Sequence, residues 1–157
     1  MRITVISDSH RNTRVIRKIL DSRDDSRHIF FLGDVTADIE YLAAVYPDRQ
    51  FHIVSGNCDF FSNYPSVGIE EIGTHRIFYT HGHTLGVKYG TGRLYKAAAE
   101  NGCNIALYGH THISHTVYEN GLYMVNPGSC SQPREGRASY AVIDLEPNGI
   151  MPVIITV

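Results

Sequence analysis

Nine histidines occur in the chain, and six fall between positions 75 and 115, where even spacing would leave two or three. These six are His75, His81, His83, His110, His112 and His115. Imidazole is the commonest protein metal ligand and the side chain best suited to proton transfer near neutral pH. Three pairs share an i, i+2 spacing: Asp8 with His10, His81 with His83, and His110 with His112. In an extended segment i and i+2 point to one face, so each pair can address a single centre. Mixed carboxylate and imidazole donors suit manganese, iron, zinc or nickel. One ion takes about four protein ligands or fewer and keeps positions open for water and substrate. Asp8, His10, Asp34, Asn57, His81, His83, His110 and His112 exceed that need, so two ions are expected. An aspartate between two cations can bridge them. Such sites set the ions roughly 3.5–4 Å apart, orient a hydroxide between them and clamp an in-line displacement at phosphorus.

These residues need elements to position them, and the apolar periodicity supplies candidates. Ile3–Ser7, His28–Leu32 and Phe51–Val54 read as strands, and 12–21 and 37–45 as helices. That βαβαβ order predicts a parallel sheet. Hairpins are expected over 67–80, around Asn120-Gly121, and around Pro147-Asn148-Gly149. A helix fits 91–101, followed by a strand over Asn104–Tyr108. A βαβ half thus precedes a mostly antiparallel half. About nine strands exceed what one small sheet carries, so two stacked sheets with helices outside are expected. Asp8, Asp34, Asn57, His81 and His110 each follow a strand. In open α/β sheets ligands bind beyond the carboxyl ends of strands.

Length and composition bound the rest. A chain of 157 residues predicts one domain, residues 1–157. Hydrophobic residues at 43% and charged residues at 19% exclude a disordered chain. A net charge of −2 gives no electrostatic reason to expect binding to nucleic acid or an anionic membrane. Met1–Ser7 turns polar too soon for a signal peptide, and no apolar run reaches the roughly 20 residues of a membrane helix. Cys58, Cys103 and Cys130 form no CxxC pair, so neither a disulfide framework nor a cysteine zinc site is expected. A cytoplasmic location is the expectation.

Asp8-Ser9-His10, Gly33-Asp34, Gly56-Asn57-Cys58-Asp59, His81-Gly82-His83 and Gly109-His110-Thr111-His112 together resemble the five blocks of the calcineurin-like metallophosphoesterases, in the family's order. Asn126-Pro127-Gly128-Ser129 and Pro133-Arg134 resemble a loop of its small single-domain phosphodiesterase branch. Any one block is common by chance; five in order, each at a strand end, are specific.

The resemblance implies an α/β fold, a four-layer αββα sandwich of two mixed sheets flanked by helices. It implies two divalent transition-metal ions, manganese foremost, with iron, zinc or nickel as alternatives. Asp8, His10 and His112 would hold the first ion, and Asn57, His81 and His110 the second. Asp34 would bridge them; Asp34, Asn57, His83 and Asp59 form the catalytic set, and Asn57, His83 and Arg134 the substrate contacts. The implied reaction is hydrolysis of a small phosphodiester or nucleotide-like substrate by a hydroxide bridging the metals. His83 is a candidate for substrate contact or proton donation. Asp59 could fix the tautomer of a ligating histidine, or cap the next segment. Arg134 could grip a phosphate oxygen. Members of this family often pair, so a homo-oligomer is among the expected partners. Larger members carry His where this chain has Cys58, and a neutral thiol is a poor acid. Substrates with good leaving groups should then be favoured. Phosphomonoesters are a second option on the same centre. A protein-interaction scaffold of the same fold is the contrasting class, but a scaffold has no use for seven ligand-type residues at these spacings.

Overall fold

The computed structural model describes residues 1–157. In chain order the elements begin with β1 (Arg2–Ile6), α1 (Thr13–Asp21), β2 (His28–Phe31), α2 (Ala37–Val45) and β3 (Gln50–Ile53). They continue with β4 (Val67–Ile72), β5 (His75–Thr80), α3 (Gly92–Glu100) and β6 (Ile105–Leu107). The last four are β7 (Ser114–Glu119), β8 (Leu122–Pro127), β9 (Ser139–Glu146) and β10 (Gly149–Thr156). They build two five-stranded mixed sheets, β10-β9-β1-β2-β3 and β4-β5-β6-β8-β7.

Alternation along each strand decides the layers. Ile3, Val5, Phe30, Leu32 and Ile143 of the first sheet meet Ile77, Ile105, Leu107 and Val125 of the second in one buried cluster. The opposite face of the first sheet, through Ile6, Ile29 and Phe31, is covered by Ile16, Ile19 and Leu20 of α1 and by Ile39 and Leu42 of α2. On the outer face of the second sheet Phe78, Ala106 and Met124 pack on Leu94 and Ala98 of α3. The order of layers is therefore helix, sheet, sheet, helix. Central strands buried on both faces need continuous apolar runs, which is why β1 and β2 read as such. Asn12 starts α1, its side chain accepting from the Val15 amide.

The second half is mostly antiparallel, as expected, with two parallel pairings inside its own sheet. β4–β5 and β7–β8 are antiparallel hairpins, yet β5–β6 and β6–β8 pair in parallel. Two causes act. α3 carries the chain from β5 over to β6 in the manner of a crossover. The Asn120-Gly121 turn, with φ of 46° and 88°, then returns β8 beside β6. The β9–β10 hairpin leaves this sheet and joins the first one beside β1. That pairing joins residues more than a hundred apart, and local periodicity carries no sign of it. The turn in that hairpin is shorter than expected: Gly149 pairs with Glu146, leaving Pro147-Asn148 as the loop.

At the rim of the sandwich away from the strand-end loops, His28 Nδ1 lies 3.0 Å from His52 Nε2, and His52 Nδ1 lies 3.3 Å from Glu70 Oε2. Burial pushes both histidines below the ordinary imidazole range, against the pull of Glu70. Arg27 beside His28, and His28 beside His52, push the same way. A histidine with a depressed folded pKa favours the unfolded state once protons are plentiful. Stability is thus complete above the ordinary value of about 6.5 and falls as pH drops through it. Urea unfolding between pH 8 and 5 is expected to show this slope, and His52→Gln is expected to flatten it. An unchanged slope in that variant would rule the pair out as its source.

Candidate metal centre

The five motif loops leave the carboxyl ends of β1, β2, β3, β5 and β6 on one rim of the sandwich. They are turns rather than extended segments. Asp8, His10, Asp34, His110 and His112 all have left-handed backbone, with φ between 44° and 68°. Each such non-glycine residue costs about 1–2 kcal/mol and persists only where its surroundings hold it there. The same-face argument for i, i+2 pairs therefore fails as stated. Asp8 and His10 do converge on one point. His110 and His112 separate, one to each side of the centre, and His83 opens a single 3₁₀ turn over His83–Leu85.

One group is drawn together by Asp8, His10, Asp34 and His112, whose donor atoms all lie within 4.8 Å of one another. His10 Nε2 is 3.1 Å from His112 Nε2, and His112 Nε2 is 3.2 Å from Asp8 Oδ1. A second group forms around His81, which is fully buried. Its Nε2 lies 3.0 Å from Asn57 Oδ1, 3.2 Å from His110 Nδ1 and 3.5 Å from Asp34 Oδ2. Asp34 Oδ2 also lies 3.9 Å from His10 Nε2 and so stands between the groups. Its other oxygen accepts from the Cys58 amide at 2.9 Å.

The chemistry of the donors fits cations. His81 Nδ1 donates to the Leu32 carbonyl and His112 Nδ1 to the Gln132 carbonyl, each at 2.7 Å. Both rings therefore turn an Nε2 lone pair toward the centre. Asp8 Oδ2 is anchored by the Ser7 hydroxyl at 2.5 Å and the His110 amide at 3.1 Å. Asp8 Oδ1 is buried with no hydrogen-bond partner. Lone pairs converging on one largely buried point need positive charge between them. Asp8 also holds the His112 imidazole above the ordinary histidine range. Burial opposes ionisation of Asp8, but His112, His81 and Ser7 outweigh it and hold the carboxyl below its usual value. Burial, with His81 and Lys88 nearby, pushes His110 down to about 4, leaving it neutral as a ligand must be.

The remaining candidates divide. Asp59 touches no histidine. Its carboxylate accepts the amides of Asp34, Thr36 and Gly56 at 2.9, 2.7 and 2.7 Å, so it ties the second and third loops together. The tautomer of His81 is set by a backbone carbonyl instead. His83 lies beside the second group, its ring 5.3 Å from that of His81 and 6.1 Å from that of His110. Burial and His81 lower its pKa. The Arg134 amide donates to the His112 carbonyl at 3.1 Å, while its side chain is exposed. Burial and Asp34 push the Cys58 thiol up to about 11, so it is neutral at physiological pH.

Asp38 and Ser131 escaped the sequence reading, and Asn126 and Ser129 entered it only as part of a family-like loop with no role assigned. Asp38 of α2 accepts from the Ser9 hydroxyl at 2.7 Å and the Arg11 amide at 2.8 Å. Ser129 donates to the Asp8 carbonyl and Ser131 to that of Ser9. The Asn126 amide donates to the Gly109 carbonyl and to Thr111 Oγ1. Small polar residues next to a strand end were the only available signal, and they serve equally well as turn residues.

Comparison with known proteins points to one family. A family model described as the calcineurin-like phosphoesterase superfamily domain matches residues 1–148. The probable metallophosphoesterase YsnB of Bacillus subtilis is 31% identical over 93% of this chain and 85% of its own. Phosphodiesterase YfcE of Escherichia coli is 26% identical over 98% and 91%. Vacuolar protein sorting-associated protein 29 of Schizosaccharomyces pombe is 33% identical over 83% and 73%. A crystal structure of a predicted phosphoesterase from Streptococcus pneumoniae superposes with a TM-score of 0.86 at 28% identity, over 99% of this chain and 88% of that one. With a family model spanning nearly all of it and these donors on one rim, the chain belongs to the calcineurin-like phosphoesterase superfamily.

Proposed function

We propose that residues 1–157 form one metallophosphoesterase domain that hydrolyses small phosphodiesters with two divalent metal ions, manganese foremost, in the cytoplasm. The observation that carries this reading is the shared carboxylate: Asp34 Oδ2 lies between a group of Asp8, His10 and His112 and a group of Asn57, His81 and His110. The similarity to a phosphodiesterase supports the choice of diesters. When bound, a pair of divalent cations supplies a nucleophile at neutral pH and positive charge for the non-bridging phosphoryl oxygens. Asp8, Asp34, His10, His81, His110, His112 and Asn57 are the residues that would hold that pair in place. His83, beside the second group, and Arg134, next to His112 in the last loop, are the residues proposed to meet phosphate oxygens and orient the ester. Asp59 acts through the loop it holds.

The thiol of Cys58 stays neutral and bonds weakly, so no strong acid of this chain meets the leaving oxygen there. Rates across aryl phosphodiesters are therefore expected to climb steeply as the leaving phenol becomes more acidic. A flat dependence with a bell-shaped pH profile would show that a side chain donates the proton after all.

The decisive experiment is a panel of aryl and nucleotide esters offered to the manganese-loaded chain, with Asp34→Asn as blank. Turnover of bis(p-nitrophenyl) phosphate by the native chain alone is expected. Preference for p-nitrophenyl phosphate would make it a monoesterase. Bound metal with no turnover of any diester would favour the interaction scaffold, a reading the likeness to the sorting protein keeps in view.

A further inference from the structure

Two cavities of opposite character border the candidate centre. One, of about 580 Å³, has His83, Leu85, Tyr89 and Arg93 among its lining residues. The other, of about 280 Å³, is lined by Cys58, Phe60, Phe61, Val35 and Glu40, among others. Each touches the centre through one residue. The His83 ring is tilted against those of His81 and His110, and its Nδ1 is buried without a partner. The Cys58 amide binds Asp34. A diester has two arms, and a tetrahedral phosphorus held between these residues sends them in different directions.

The cavities differ in what they accept. On the first, the lining Arg93 makes no ion pair, and neither does Lys88, which does not line the cavity but sits in the glycine-rich loop of Gly86 and Gly90 at its edge, near His110. Two unpaired cations beside a cleft match a dianion better than a neutral group. Tyr89 is 97% exposed, an aromatic ring standing free over the same cleft and available to stack on a flat ring. The second cavity offers Phe60 and Phe61, exposed by 85% and 99%, with the carboxylate of Glu40. That surface suits an apolar arm and repels an anion.

We infer that the substrate is an asymmetric phosphodiester, whose arm in the His83–Arg93 cavity carries a second phosphate and whose other arm is uncharged and lies against Phe60 and Phe61. The inference rests on the phosphodiesterase reading for its chemistry, but its binding test does not. A nucleotide phosphorylated at two positions is the simplest probe that pairs a ring with a second dianion.

Titration calorimetry of the manganese-loaded full chain with thymidine 3′,5′-bisphosphate and with thymidine 5′-monophosphate tests it. The bisphosphate is expected to bind about 10-fold more tightly, the scale of one charge-assisted hydrogen bond. Arg93→Gln is expected to remove that ratio, and Tyr89→Leu to weaken both nucleotides. Arg17→Gln, a change of equal charge on α1, is expected to leave the ratio intact. Equal affinities in the native chain would overturn the inference. So would a ratio that survives Arg93→Gln, or one that falls as far in Arg17→Gln. If no diester of the panel is hydrolysed while the ratio holds, the phosphodiesterase reading fails and the anion subsite stands.

Discussion

Asp34→Asn is expected to cost more than 100-fold in turnover and to lower the number of manganese ions retained after gel filtration. Replacing an outer partner of a metal ligand typically costs about 10–100-fold in affinity or activity, and loss of a shared ligand must exceed that. The reason is geometric and electrostatic together. Asp34 Oδ2 lies 3.5 Å from His81 Nε2 and 3.9 Å from His10 Nε2, so one oxygen serves both groups. The amide of asparagine keeps the shape but removes the negative charge. Its Oδ1 counterpart can still accept from the Cys58 amide, so folding is preserved. Metal content by inductively coupled plasma spectrometry and a thermal melt separate the two effects. An unchanged metal content with full activity would remove Asp34 from the centre.

Asp59→Ala is the second large effect, and it strikes stability first. Three backbone amides lose their acceptor in this variant, those of Asp34, Thr36 and Gly56. Hydrogen bonds to charged groups contribute about 1.5–3 kcal/mol each and do not add fully, so a loss of roughly 3 kcal/mol is expected. For a chain of this size that lowers the melting temperature by about 10 °C. The loop glycines leave little slack for recovery. A Cβ at Gly33 would meet the Gly56 amide nitrogen at 2.5 Å, and one at Gly56 would meet Asp34 Oδ1 at 2.2 Å. Manganese affinity is expected to fall with stability, since Asp34 and Asn57 lie on the two loops released. Differential scanning calorimetry with and without manganese measures both, and Asp59→Asn, which keeps an acceptor, is expected to recover part of each. A melting point within 1–2 °C of native would show that the three amides find water instead.

How much of this was legible depends on the range of the physics involved. The strands β1 and β2 and helix α1 declare themselves, because burial on two faces or on one stripe leaves a local pattern. The candidate ligands were legible because Asp8, His81 and His110 follow such strands directly. Their convergence was reached for a partly wrong reason: the loops are left-handed turns, and only the sandwich brings His110 to His81 and His112 to Asp8. The role of Asp59 was not legible, since a carboxylate that collects amides from two loops looks like any loop aspartate. Nor was the placement of β9 beside β1, a pairing of Ile3 with Ile143 that no local window contains.

The donors come from both layers of the sandwich: Asp8, His10, Asp34 and Asn57 follow strands of the first sheet, and His81, His110 and His112 follow strands of the second. An ion held by this set is a rivet through two plates. The plates otherwise adhere chiefly through the apolar contacts of residues such as Phe30, Leu107 and Ile143, with a few polar ties such as His75 to the Glu146 carbonyl. Any slip of one plate over the other changes the gauge of the rivet hole. Side-chain volume deep between the sheets thus becomes a dial on metal selectivity, far from any ligand. Evolution, or an engineer, can retune the centre without touching it.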